Sequence, residues 1–269
     1  MSEPAYLISE NAGVLEFALN RPDKLNALNE EIFHGLRQAL ETLTVRTDLR
    51  VMLIRASGRF FCAGADLLAQ PMPDMQGLTT NVRSWYRREL GGGMLPLYLE
   101  LEAVEKPIVV AHHATCIGGG LELSLSCDFR LAAASARYGF PEAKLGIIPA
   151  TGGVSRLTRL IGPHWARWMI MANQQVDAAQ GQAIGLVHAV YPDEEFDVKV
   201  REFCQNLAKL PPDATAMAKL SIELATDLES AQARNMERLA VSALSLGVEH
   251  TQMMHAMRER LAGKITPGG

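Results

Sequence analysis

A chain of 269 residues, 48% of them apolar, can bury a substantial core without staples and suits one large domain or one domain with a helical appendage. Its 26 basic and 30 acidic residues are interspersed and sum to a formal net charge of -4, which leaves no electrostatic footprint for nucleic acid and no polybasic membrane patch. Cys62, Cys116, Cys127 and Cys204 are spaced too widely for a CxxC redox pair or a zinc knuckle, and read as small buried hydrophobes. The opening MSEPAYLISENAGVLEF lacks a basic stretch ahead of an apolar one, and no segment approaches the ~20 apolar residues of a bilayer span. A reducing, cytoplasmic setting is therefore expected.

In chain order, two short strands, Ala5 to Glu10 and Val14 to Leu19, flank Asn11-Ala12-Gly13, whose Asn and Gly tolerate the positive φ of a tight turn; this predicts a hairpin. After Arg21-Pro22, Ile32, Leu36, Ala39, Leu40 and Leu43 recur at helical spacing, with Asn29 placed to cap the helix. Val51 to Ala56 and Pro107 to Ala111 are buried strands. Between them, Arg83 to Glu105 is a helical stretch interrupted by Gly91-Gly92-Gly93. From Pro192 the pattern is helical, with runs near Glu195 to Leu207, Asp213 to Ala225, Leu228 to Leu246 and Thr251 to Leu261. Strands alternating with helices imply an α/β core, and the division expected is residues 1–192 for that core and 193–269 for a helical C-terminal region.

Chemistry concentrates in three segments. In PIVVAHHATCIGGGLE, Pro107 to Glu122, a buried strand leads into three glycines and a helix whose first N–H groups lack internal partners. Such a spot stabilises an anion or a polarised carbonyl, and Glu122 shares a helical face with Gly119 at i,i+3 spacing. A dinucleotide-binding reading of the glycines has only a partial motif, since the fingerprint needs a third glycine at Leu123, and a close-packed helix start with Glu122 as a solvated or capping residue is the plain alternative. In FFCAGADL, Phe60 to Leu67, small residues after a strand leave the Ala65 N–H accessible; two such donors on one oxygen form an oxyanion hole, where losing one costs about 3–4 kcal/mol of transition-state stabilisation. Asp66 there is either a catalytic acid or a helix cap. In Tyr138-Gly139-Phe140-Pro141-Glu142, followed by Leu145 to Pro149 and Gly152-Gly153, Glu142 taken alone is a solvated turn carboxylate.

FCAGADL, IGGGLELSLSCD, FPEAKLGIIPATGG and the GLV at Gly185 to Val187, in this order, together resemble the crotonase, or enoyl-CoA hydratase/isomerase, superfamily, from NRPDKLNAL to the helical C-terminus. The resemblance implies a crotonase-like ββα spiral core with a helical C-terminal region that mediates trimerisation, trimers pairing in some members into hexamers. It implies oxyanion-hole donors at Ala65 and Gly119. It further implies that Lys24, Leu25, Ala63, Asp66, Leu67 and Gly118 flank coenzyme A, and that Glu122 and Glu142 are the catalytic pair of a hydratase. The substrate would be an enoyl-CoA, with coenzyme A entering as part of the thioester and no separate cofactor, metal, nucleic acid or membrane partner. Two buried carboxylates that cannot both ionise cheaply would share protons.

Two departures from the family pattern stand out. His112-His113-Ala114-Thr115 replaces the usual Asn-Gly after the central strand; either His can act as an acid or base, or simply hydrogen-bond in the core. The lysine often found soon after AGAD is absent, with Leu68 and Ala69 present, so phosphate contacts would come from elsewhere, such as Lys24 or Lys264. Other crotonase-type reactions (isomerisation, carbon-carbon hydrolysis, retro-aldol cleavage) would use the same hole with a different acyl pocket, expected near Trp85 to Tyr98.

Overall fold

A computed structural model of the chain describes residues 3–69 and 93–263. Trp85 and the rest of the expected helical stretch before residue 93 lie outside the described residues, as does Lys264. Contacts divide the chain into two compact units, residues 1–208 and 209–269.

The first unit begins with the expected hairpin, β1 (Tyr6–Asn11) and β2 (Val14–Leu19), paired antiparallel from Tyr6↔Leu19 to Asn11↔Val14. Because Asn11 is still paired, the two-residue loop is Ala12-Gly13: Gly13 takes positive φ (80°) as expected, and Ala12 (49°) does so in place of Asn11. Helix α1 (Glu30–Val45) starts where Asn29 accepts the Ile32 amide at 3.1 Å, and buries Ile32, Leu36, Ala39, Leu40 and Leu43. Strands β3 (Val51–Ala56) and β4 (Phe60–Cys62) precede helix α2 (Met94–Ala103); β5 (Ile108–His112) and β6 (Thr115–Ile117) run into helix α3 (Gly119–Leu125); β7 (Phe129–Ala133) and β8 (Arg137–Gly139) follow. Each pair sends its longer strand to one sheet and its shorter strand to another, and this repetition builds the ββα spiral.

Helix α4 (Gly153–Ala166), β9 (Val176–Asp177), helix α5 (Ala178–Ala183) and β10 (Ala189–Tyr191) complete both sheets. Their orders are β1-β2-β3-β5-β7-β10 and β4-β6-β8-β9. From β2 onward the larger sheet is parallel, as crossover connections require. Successive side chains alternate between its faces: Met52, Ile54, Ile108 and Val110 join the main core with α1, while Val51, Leu53, Val109 and Ala111 pack on helix α6 (Phe196–Ala208) through Phe196, Val200 and Cys204. That apolar stripe is why α6, expected in the helical C-terminal region, is part of the first unit. The second unit holds helices α7 (Pro212–Ala225), α8 (Ser230–Ser245) and α9 (Val248–Leu261). Among the described residues no helix is long and apolar enough to cross a membrane.

Candidate active site

The segment after β4 is laced to residues 25–28 by backbone bonds: Ala63 N–H to Leu25 O at 3.0 Å, Leu28 N–H to Gly64 O at 2.8 Å and Asp66 N–H to Leu28 O at 2.9 Å. Strand-like alternation turns the Ala65 amide away from that partner. Leu25 and Asn26 both hold φ of 53°, an arrangement locked by the buried Asn26 side chain, which accepts from the Arg21 amide at 2.8 Å and donates to Ser57 O and Phe60 O at 2.7 and 2.9 Å. Lys24 is exposed at this turn, Leu25 is half-buried, and Ala63 sits against Leu25. Leu67 is exposed in the turn that follows Asp66.

Two backbone segments then meet. Gly64 has φ of 96°, and a Cβ there would come within 3.2 Å of the Gly119 nitrogen and 3.6 Å of Gly118 Cα. A Cβ on Gly119 would in turn lie 3.4 Å from the Ala65 nitrogen. Only glycines allow this approach. Gly118, at φ 55° and ψ -135°, is anchored by its amide to Gly139 O at 3.1 Å and sets the start of α3. As the first residue of that helix, Gly119 has an amide without an intrahelical acceptor. Its carbonyl accepts the buried Tyr98 hydroxyl at 2.8 Å.

Both glutamates are buried here. Glu122 Oε1 accepts the amides of Thr151 (2.8 Å) and Gly153 (3.0 Å), at the positive end of α4. Burial raises its carboxyl above the ordinary range, and those amides with the nearby Arg156 charge pull it back. Glu142, on a 3-10 turn after Pro141, directs Oε1 to the backbone of Gly118, where a Cβ would meet it at 2.9 Å. Its Oε2 is buried with no hydrogen-bond partner among the described residues. Burial pushes the Glu142 carboxyl up to about 7, and the Glu122 charge adds to the rise. The pair is thus uneven, with one carboxylate anchored by amides and the other inclined to hold a proton.

Asp66 takes part differently. It forms a 2.8 Å ion pair with Arg21, and its other oxygen accepts the Leu68 and Ala69 amides at 3.2 Å each. Burial pushes its carboxyl up, and the Arg21 and amide hydrogen bonds more than reverse this, so it stays ionised. This is a capping arrangement that ties the 21–28 turn to the Ala65 segment. His112 is fully buried edge-on between Phe61 and Tyr138, with Nδ1 3.2 Å from the Tyr138 hydroxyl, and burial drives it down to about 3. It remains a neutral core ring. His113 rests on Gly58 O at 2.7 Å.

The sequence reading missed Tyr98 and Asn26 as supports of this site, and Thr151 and Gly153 as the holders of Glu122. A trace existed for the last pair in Gly152-Gly153 ahead of an amphipathic run, the pattern of an open helix start. A lone tyrosine in a helix carries no such signal.

Three comparisons bear on this arrangement. Residues 9–263 match the family model described as enoyl-CoA hydratase/isomerase. Among curated relatives, an enoyl-CoA isomerase/hydratase of Mycosarcoma maydis is 31% identical, covering 94% of this chain and 92% of its own length. A 2,3-dehydroadipyl-CoA hydratase of Escherichia coli is 32% identical over 86% of this chain and 88% of its own. Among solved structures, an enoyl-CoA hydratase from Bacillus anthracis superposes with a TM-score of 0.87 at 29% identity, covering 95% of this chain and 96% of that one.

Proposed function

This chain belongs to the enoyl-CoA hydratase/isomerase family, and from that membership we propose that it is an enoyl-CoA hydratase, adding water across the 2,3 double bond of an enoyl-CoA thioester to give a 3-hydroxyacyl-CoA. The observation that carries the reading is the uneven glutamate pair: Glu122 clasped by two amides, Glu142 with a buried oxygen left open and its carboxyl raised to about 7.

In this reading the thioester oxygen enters between the Ala65 and Gly119 amides, which hold the negative charge that grows on it as the enolate forms. Water oriented by Glu122 attacks Cβ and gives its proton to that carboxylate, while Glu142 delivers its proton to Cα. Atoms balance, and one proton exchange between the two carboxyls resets the pair. A double-bond shift would need a single acid/base group. Coenzyme A would lie along Lys24, Leu25, Ala63, Asp66 and Leu67, the turn and loop that the Ala63–Leu25 bond holds together, and along Gly118 at the start of α3.

The four cysteines are buried and form no disulfide, which fits a reducing setting such as the cytoplasm. Self-association to a trimer or hexamer is supported by exposed apolar side chains in the second unit, among them Ile222, Leu239, Val241 and Leu246. Sedimentation at micromolar concentration tests this; a monomer overturns it. The central test incubates purified protein with crotonyl-CoA, longer and branched 2-enoyl-CoAs and a 3-enoyl-CoA, following the conjugated thioester absorbance. Loss of absorbance with 2-enoyl substrates is expected. No turnover on any of them, or a gain with the 3-enoyl substrate alone, overturns the hydratase reading.

A further inference from the structure

One largely enclosed guanidinium, its side chain 13% exposed, does more than lend Glu122 a nearby charge. Arg156, on the first turn of α4, grips Glu102 of α2 with two nitrogens, one of them at 2.7 Å from Oε2. Its remaining nitrogen, Nη1, donates to Thr151 O at 2.9 Å. Thr151 and Gly153 are the two residues whose amides hold Glu122 Oε1. Between them, Gly152 has φ of 102°, and a Cβ there would overlap the Arg156 guanidinium. A bidentate fork with five fixed donors suits this task, and a lysine could not make all the bonds.

We infer that Arg156 is a positioning residue for Glu122: by clasping Glu102 and the Thr151 carbonyl it aims two backbone amides at one carboxylate oxygen. The loop 151–153 is short and carries a left-handed glycine, so without the clasp its amides lose a unique direction. Arg156 also places a positive charge near Glu122, which favours its ionised form. The inference rests on the reading of Glu122 as the water-activating base.

The test compares wild type with Arg156→Gln, Arg156→Lys and Glu102→Gln, measuring kcat and KM on crotonyl-CoA against pH together with thermal midpoints. For Arg156→Gln the expected result is a kcat loss on the order of tenfold, KM within about twofold and an acid limb moved to higher pH, because a carboxylate robbed of its amides and a nearby cation protonates more readily. Arg156→Lys should return the limb toward its wild-type position while recovering only part of kcat. A lowered thermal midpoint with kcat and limb unmoved overturns the proposal. Should Arg156→Gln fail to fold, Glu102→Gln carries the test: reduced kcat at unchanged KM supports the clasp, and unchanged kcat overturns it. If wild type hydrates no enoyl-CoA, the hydratase reading falls by itself. The clasp is then judged from carbon-13 NMR titration of the Glu122 carboxyl, where identical curves for wild type and Arg156→Gln overturn it and a higher titration in the variant supports it.

Discussion

The Tyr98 hydroxyl donates to the Gly119 carbonyl across 2.8 Å, with both residues fully enclosed, so α2 grips the first residue of α3. Met94, one turn earlier on α2, fills the space a Cβ on Gly119 would need. Tyr98→Phe keeps the ring and deletes only the bond, and should cost about 1 kcal/mol of stability in urea unfolding. Hydration should slow several-fold, as the Gly119 amide drifts from its aim; an unchanged kcat would show that the bond is purely structural.

Glu142→Gln should lower the hydration rate by on the order of a hundredfold or more, since the amide cannot deliver a proton to Cα. Folding should be intact, because the substitution removes a buried ionisable group whose Oε2 has no partner among the described residues. Crotonyl-CoA turnover and circular dichroism check the two halves of this statement.

The same carboxyl governs a pH dependence. In the folded protein it titrates near 7, above its ordinary value of 4.5, so the native state holds the proton over a window in which the unfolded chain has released it. Glu142 therefore weakens the fold as pH climbs through that window. Urea midpoints should show wild type and Glu142→Gln close together at pH 5 and the variant ahead at pH 8. In the wild type, kcat/KM for hydration should fall as pH rises past about 7, where the donor loses its proton.

Gly152→Ala should be more damaging than a methyl group in a loop normally is. The left-handed φ of 102° disfavours any side chain, and the new Cβ would collide with the Arg156 guanidinium. A loss of about 1–3 kcal/mol is expected, with hydration reduced because the Thr151 and Gly153 amides move. Differential scanning calorimetry and steady-state kinetics on one sample measure both.

Asp66→Asn separates support from chemistry. It breaks the ion pair with Arg21 and weakens the cap on the Leu68 and Ala69 amides, and should cost about 1–3 kcal/mol while hydration stays measurable. A rate as low as that of Glu142→Gln would give Asp66 a direct part in the reaction.

Local rules made much of this molecule readable. Alternation and helical spacing placed β2, α1, β3 and the run of C-terminal helices within three residues of where they stand, and Asn29 capped α1 as its side chain permits. The hairpin and its left-handed Gly13 were legible too, yet the other left-handed residue was placed at Asn11 and not Ala12, because strand pairing through Asn11 depends on its partner Val14. The placement of α6 on the sheet likewise waited on Val51, Leu53, Val109 and Ala111 forming one apolar face.

Sequence alone determined the glycines, the two glutamates and the motifs that tie them to a family, since each follows from neighbours along the chain. Only the tertiary structure decided that Glu122 is held by Thr151 and Gly153, that Arg156 and Glu102 secure that loop, and that Tyr98 anchors Gly119. Hydrogen bonds between residues 21 to 54 positions apart have no periodicity to betray them. They exist because burial leaves polar groups no water to turn to, so each must find a partner wherever the spiral brings one within reach.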